Sequence, residues 1–302
     1  MTDRGLPAAG AAVTPTSVAV VGLGLIGGSL CRALRRRLPA TRLVGITRNP
    51  ATAERALHTG VCDQAGSGEE LLLRAEIAVL CTPVDAMPHW LAACASASTD
   101  LLVTDVGSTK SWVVDAAARL LPGRFLGGHP MAGSERSGWD AADPELFTGC
   151  TWVLTPAAPD LPGRFAPWRA TLEALGAHVA ILEPATHDAA AALISHLPFT
   201  VSAALMRATA ADPAWETAGW WLAAGGMRDM SRLSGGDPAM EAAILRTNTQ
   251  PVLAALDGLL AELAGVRTAL ADPDRLEEWF GTARAHREAW VARRERVGRP
   301  IS

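Results

Sequence analysis

Tyrosine is absent from the 302 residues, and lysine occurs once, at Lys110; every other of the 27 basic side chains is arginine. A bias that replaces lysine with arginine wherever either serves makes the exception informative. Arginine is a wide planar fork and lysine a compact charge on a flexible stem, so a tight polar site can accept one and refuse the other. Excess charge is also missing. The net charge is −4, both signs are scattered and no basic run occurs, which argues against a nucleic-acid footprint or a membrane-surface patch. Cys31, Cys62, Cys81, Cys94 and Cys150 are odd in number and lack CxxC spacing, so neither a disulfide framework nor a zinc site is expected, only buried thiols in a reducing compartment. The opening MTDRGLPAAGAAVTP has one arginine and no apolar core, and reads as a loose tail over residues 1–15 rather than a signal peptide. No apolar run of bilayer length is expected either, since Arg, Asp and Glu interrupt the Ala-rich stretches. These absences lead to the expectation of a cytoplasmic protein that handles small molecules, with no metal, membrane or nucleic-acid partner.

What is present is alternation. SVAVVG, RLVGIT, EIAVLCT, LLVTDVG, RFLGGHP, TWVLTP and HVAILEP are short apolar runs separated by helix-patterned segments, the pattern of a parallel sheet with crossover helices. After about residue 184 the strand-like runs stop, and Ala, Leu and Arg recur at helical spacing, broken by Asp-Pro pairs at 212, 237 and 272. The first strand ends in Gly22-Leu23-Gly24-Leu25-Ile26-Gly27, a GxGxxG leaving a strand and entering a helix. There the first glycine permits a tight turn, the second lets the backbone approach a pyrophosphate, and the third lets helix and strand pack closely. The expected fold is therefore α/β: an N-terminal Rossmann-type, doubly wound and mostly parallel sheet over residues 16–184, and an all-helical domain over 185–302. Leu253, Leu256, Leu259, Leu260 and Leu263 share one helical face, which serves either the core or a dimer interface.

The end of the second strand indicates which dinucleotide. Thr47 and Arg48 stand where an NAD enzyme usually presents an acid to the ribose. A hydroxyl followed by a cation suits a 2′-phosphate, so NADP is favoured, with NAD as the other possibility. Thr82, Pro83 and Val84 make an abrupt turn at the carboxyl end of the third apolar run, where backbone contacts to the cofactor are expected.

Two more loops leave the same edge, Asp105 to Lys110 and His129 to Glu135. Together with the glycine motif, Ser195-His196-Leu197-Pro198 and Gly226 to Arg232, they resemble the prephenate and arogenate dehydrogenases of tyrosine biosynthesis, in the family's order and over roughly residues 17–260. HPMAGSE, residues 129–135, is the most diagnostic motif. The resemblance implies oxidative decarboxylation of a cyclohexadienol, driven by aromatisation, in a homodimer whose helical half serves dimerisation and substrate binding. It gives His129 the hydroxyl, as a group titrating near neutrality, and Ser108 a hydrogen bond to the same hydroxyl. Capping a helix that starts at Thr109 is the structural alternative for Ser108. Arg232 takes the ring carboxylate, and Arg228 lies one turn away on the same face. Asp229 supports an arginine or the partner subunit, or makes a surface ion pair. Ser134 and Glu135 lie at the pocket mouth and His196 contacts the pocket, whereas His187 is expected to serve only a helix start. Lys110, behind Ser108, can tie loop carbonyls or Asp105 together. One position departs from the family: Phe199 stands where prephenate users often have a second histidine, which makes arogenate a competing substrate. A reading of another class is a non-catalytic redox sensor that binds NADP, which would not need His129, Ser108 and Arg232 together.

Overall fold

The computed structural model describes residues 14–133, 136–158 and 161–296. Among these, eight strands form one sheet in the order β3-β2-β1-β4-β5-β6-β7-β8. They are β1 (Ser17–Val21), β2 (Arg42–Ile46), β3 (Gln64–Gly66), β4 (Ile77–Leu80), β5 (Leu102–Asp105), β6 (Phe125–Pro130), β7 (Thr151–Pro156) and β8 (His178–Ile181). All neighbours pair in parallel except β6 and β7. That connection carries only the short turn Trp139–Ala141 among its described residues, and a chain that returns without a crossover helix runs antiparallel. The sequence reading missed β3, because three residues with no apolar run give no strand signal.

The apolar runs VAVV, LVGI and IAVL are continuous, as a sheet covered on both faces requires. The helices that cover it are α1 (Leu25–Arg37), α2 (Pro50–His58), α3 (Met87–Ala97), α4 (Ser111–Leu120), α5 (Leu161–Arg164) and α6 (Ala166–Ala174). Val18, Val20 and Leu43 are buried on one face with Leu30, Leu34, Trp168 and Leu172. Ala19, Val21 and Val44 are buried on the other with Leu91, Cys94, Val113 and Ala117. The strand order reverses between β1 and β4, and their diverging loops open a crevice at the carboxyl edge.

Between Pro184 and Arg296 the chain is helical: α7 (Pro184–Ala191), α8 (Leu197–Ala210), α9 (Trp220–Leu222), α10 (Gly225–Ser231), α11 (Pro238–Thr247), α12 (Thr249–Ala269) and α13 (Pro273–Arg296). A wide turn at Ala192–His196 joins α7 to α8, with the Leu197 N–H reaching back to the Ala192 carbonyl. Pro198 has no N–H to continue a regular ladder, and a π-type turn absorbs the break. The segment Pro184–Ala210, 27 residues long, contains an 18-residue window of mean hydropathy 1.6, long and apolar enough to cross a bilayer by length and composition. The sequence reading expected no such run; Thr, Ser and His interrupt this one while adding little formal charge. Its His187, Asp188, His196 and Ser202 are nevertheless buried.

Among the described residues, those through Val252 pack as one compact unit and those from Leu253 as another, so α7 to α11 belong to the unit of the sheet. Within the second unit the Trp279 indole donates to Glu262 at 3.1 Å. Leu253, Leu260 and Leu263 are exposed, and Leu256 and Leu259 are half-buried.

Candidate active site

The turn from β1 into α1 requires its glycines. Gly22 adopts φ +97, and a Cβ there would stand 2.6 Å from the Cys81 carbonyl oxygen; at Gly27 it would stand 1.9 Å from the Gly22 carbonyl oxygen. At Gly24 it would meet nothing within 4 Å. Two glycines thus close the turn and the middle one leaves open space before the start of α1, where no side chain caps the helix and no acid occupies the first turn. Such an N-terminus favours an anion. Leu23 is buried in the core, so only its backbone faces this space, while Leu25 and Ile26 are half-buried. Beside Gly22, the Thr82 hydroxyl oxygen is buried without a hydrogen-bond partner among the described residues. Pro83 is exposed there and Val84 is buried. Open space, uncapped N–H groups and an orphaned hydroxyl together fit a dinucleotide pyrophosphate and ribose. After β2, Thr47 is half-buried and Arg48 exposed; the Thr47 hydroxyl accepts from the Asn49 N–H at 3.3 Å, and Asn49 caps α2.

The ends of β5 and β6 are bound together by Lys110. Its ammonium pairs with Asp105, and both side chains are completely enclosed. It also donates to the Gly128 carbonyl at 2.8 Å. Asp105 accepts the N–H groups of Gly107 at 2.8 Å and Gly128 at 3.0 Å. A compact charge in a sealed slot accounts for lysine in a chain of arginines. Burial pulls the Lys110 ammonium below its ordinary range, and Asp105 opposes that.

Helix α4 begins at Ser111, so Ser108, half-buried in the preceding loop, is not its cap. The cap comes from another element. Asp188, on α7, accepts the N–H of Lys110 at 2.7 Å and of Ser111 at 2.8 Å. Its burial would raise the carboxyl, but hydrogen bonds from His187, Ser111 and Lys110 outweigh that and hold it below the usual range.

His129, near the end of β6, is 8% exposed. Its Nδ1 lies 2.8 Å from Nε2 of His187, whose own Nδ1 lies 2.9 Å from Asp188. His187 is therefore not merely a helix-start residue; it is buried and joins His129 to Asp188. Burial first, then the neighbouring His187, Lys110 and His196, push His129 well below the ordinary imidazole range, with Asp188 acting the other way. The sequence expectation of titration near neutrality is corrected accordingly. His196 is fully buried, and burial brings it down to about 4. Asn248 donates to the Asp188 carbonyl at 2.9 Å and lies 3.1 Å from His196 Nδ1. With the amide nitrogen as donor, His196 carries its proton on Nε2, which has no partner among the described residues. The site thus has one imidazole able to accept a proton and another able to donate a hydrogen bond.

Phe199 tilts against the His196 ring, with centroids 5.9 Å apart. Arg228 and Asp229 are exposed and pair with each other at 2.9 Å. Arg232, also exposed, opens the tight turn that follows α10. Ser134 and Glu135 lie outside the described residues.

Two family models match the chain: the prephenate dehydrogenase nucleotide-binding domain over residues 30–181 and the prephenate dehydrogenase dimerization domain over residues 183–282. Among curated proteins, the prephenate dehydrogenase of Bacillus subtilis is 35% identical over 286 residues, 92% of this chain and 77% of that one. Among solved structures, Synechocystis arogenate dehydrogenase is 36% identical with a TM-score of 0.78, covering 91% of this chain and 100% of the other. Prephenate dehydrogenase from A. aeolicus, in complex with hydroxyphenyl propionate and NAD+, is 27% identical with a TM-score of 0.84, covering 91% and 98%.

Proposed function

Since the chain belongs to the prephenate dehydrogenase family, we propose that it converts prephenate to 4-hydroxyphenylpyruvate and CO2 with NADP as the preferred acceptor. The observation that carries this reading is His129: a buried, neutral imidazole beside the dinucleotide crevice, linked through His187 to a carboxylate. A bound nicotinamide would supply the hydride acceptor for the carbinol carbon. His129 takes the hydroxyl proton, and Ser108 hydrogen-bonds the same oxygen. Arg232 holds the ring carboxylate, with Asp229 supporting an arginine, and the His196 Nε2–H donates to a substrate oxygen. Ser134 and Glu135 close the pocket mouth. Lys110 keeps the β5 and β6 loops in register, so that Ser108 and His129 face one substrate.

The cofactor is held at Gly22 to Gly27 and at Thr82 to Val84. Thr47 and Arg48, with no carboxylate beside them, favour the 2′-phosphate. The domain boundary in this reading falls after residue 184, just beyond β8. The exposed leucine face and a domain description that includes dimerization support a homodimer, and relatives named for a biosynthetic activity support the cytoplasm.

Arogenate is the second reading. Phe199 cannot hydrogen-bond a substrate side chain, and identity to an arogenate dehydrogenase, 36%, is close to the 35% to a prephenate dehydrogenase. Steady-state rates with prephenate and arogenate, each with NAD and NADP, test the whole assignment. The expected result is one CO2 released per nucleotide reduced, fastest with prephenate and NADP. Nucleotide binding without turnover of either substrate would favour the redox sensor instead.

A further inference from the structure

Asp188 is the meeting point of three elements. Its carboxylate accepts two backbone N–H groups from the start of α4 and faces His187 Nδ1, while its carbonyl accepts from Asn248. An ionised carboxylate only accepts, so His187 presents Nδ1–H to it. A neutral His187 then has its lone pair on Nε2, 2.8 Å from His129 Nδ1. That contact is a hydrogen bond only if His129 carries its proton on Nδ1, which leaves His129 Nε2 bare. The free imidazole side chain prefers the opposite arrangement, with the proton on Nε2, and in that form His129 could not accept from substrate through the same nitrogen.

We infer that His187 is a positioning residue for the proton transfer: anchored on Asp188, it locks His129 in the tautomer whose Nε2 is the base. This rests on the reading of His129 as proton acceptor. The titratable and charged groups around His129 are His187 and Asp188 from α7, His196 from the turn after it, and Lys110 at the start of α4. Three of them disfavour a charge on His129 and Asp188 favours one, while its contact with His187 Nδ1 orients the pair.

Two measurements decide it. Nitrogen-15 spectra of the full-length, histidine-labelled protein, assigned by loss of signals in His129→Asn, should show His129 protonated at Nδ1 and bare at Nε2. The reverse tautomer overturns the inference, whatever the substrate. In kinetics, His187→Phe keeps a ring in the space but removes the acceptor. It should lower kcat by about 10²-fold, leave the NADP dissociation constant unchanged and move the acid limb of kcat/KM upward, as one neighbouring imidazole is lost. His187→Gln, whose amide oxygen can accept from Nδ1–H, should recover about tenfold of that. Wild-type kinetics in His187→Phe, or equal losses in the Phe and Gln variants, overturn it by marking a packing role. A His129→Asn enzyme with the wild-type rate overturns the reaction reading instead, and the nitrogen spectrum still decides the tautomer.

Discussion

Lys110→Met removes the ammonium that joins β5 to β6 while keeping the length and apolar volume of the stem. It leaves the enclosed Asp105 carboxylate with two backbone donors, Gly107 and Gly128, and takes the donor from the Gly128 carbonyl. Stripping one member from a buried ion pair costs about 3–5 kcal/mol. The two surviving N–H bonds to a charged acceptor keep Asp105 from being bare, so the expected loss is at the lower end, about 3 kcal/mol. At about 2–4 °C per kcal/mol for a unit of this size, the melting midpoint falls by roughly 6–12 °C. Lys110→Arg keeps the charge but forces a planar fork into a sealed slot, and should also destabilise, by about 1–3 kcal/mol. Adding Asp105→Asn to Lys110→Met should cost less than the sum of the single changes by at least about 1 kcal/mol, the coupling expected of residues in contact. Calorimetry on the wild type, the three single variants and the double variant is the assay. If Lys110→Met and Lys110→Arg both melt within 2 °C of the wild type, a limit set at roughly the shift from 1 kcal/mol, the lone lysine is an accident of composition.

Further outcomes are expected from the site. Because burial, His187 and Lys110 all disfavour the imidazolium, His129 stays a base as the pH falls through about 6.5; kcat/KM should hold there and decline only at lower pH, and an acid limb at or above that value would contradict the assignment. The unfolded chain takes up protons before His129 and His196 do, so stability should drop as the pH falls below about 6.5, and His196→Gln should lessen the drop in urea titrations. Thr47→Asp should repel a 2′-phosphate and move the NADP-to-NAD ratio of kcat/KM down by at least about tenfold, or roughly 1.4 kcal/mol; a wild type indifferent to the phosphate removes the basis. Arg232→Ala should raise KM about 30-fold or more, the lower end of about 2–5 kcal/mol for truncating one side of a charge pair, and a KM within threefold of the wild type places the carboxylate elsewhere. Sedimentation at low micromolar concentration should give twice the chain mass, and an active monomer would refute the dimer.

The sheet was legible because each strand but β3 carries an apolar run and the glycine motif lies between the first strand and its helix. β3 was not, since Gln64, Ala65 and Gly66 take their place only by pairing with β2. At the site, the residues announced by local motifs were within reach of the sequence, and Lys110 was conspicuous by composition. His187, Asp188 and Asn248 were not, because their partners lie far along the chain: 58 residues separate His129 from His187 and 52 separate His196 from Asn248. Helical periodicity could not connect Asp188 with His196 either. The wide turn at Ala192–His196 shifts the register that such spacing assumes. The His-Asp pair nine positions before His196 was the available signal, and its apparent fitness for a helix start concealed it.

The cap of α4 also sets an order of events during synthesis. The N–H groups of Lys110 and Ser111 leave the ribosome well before their acceptor, since 78 residues separate Lys110 from Asp188. At about 5–20 residues per second, that interval lasts roughly 4–16 s. Over that time the nascent nucleotide-binding half carries a helix start bonded to water and an imidazole that has not met its neighbour. A fragment ending near β8 would remain in that condition permanently, so the two halves share one folding clock and His129 meets His187 only after α7 has been made.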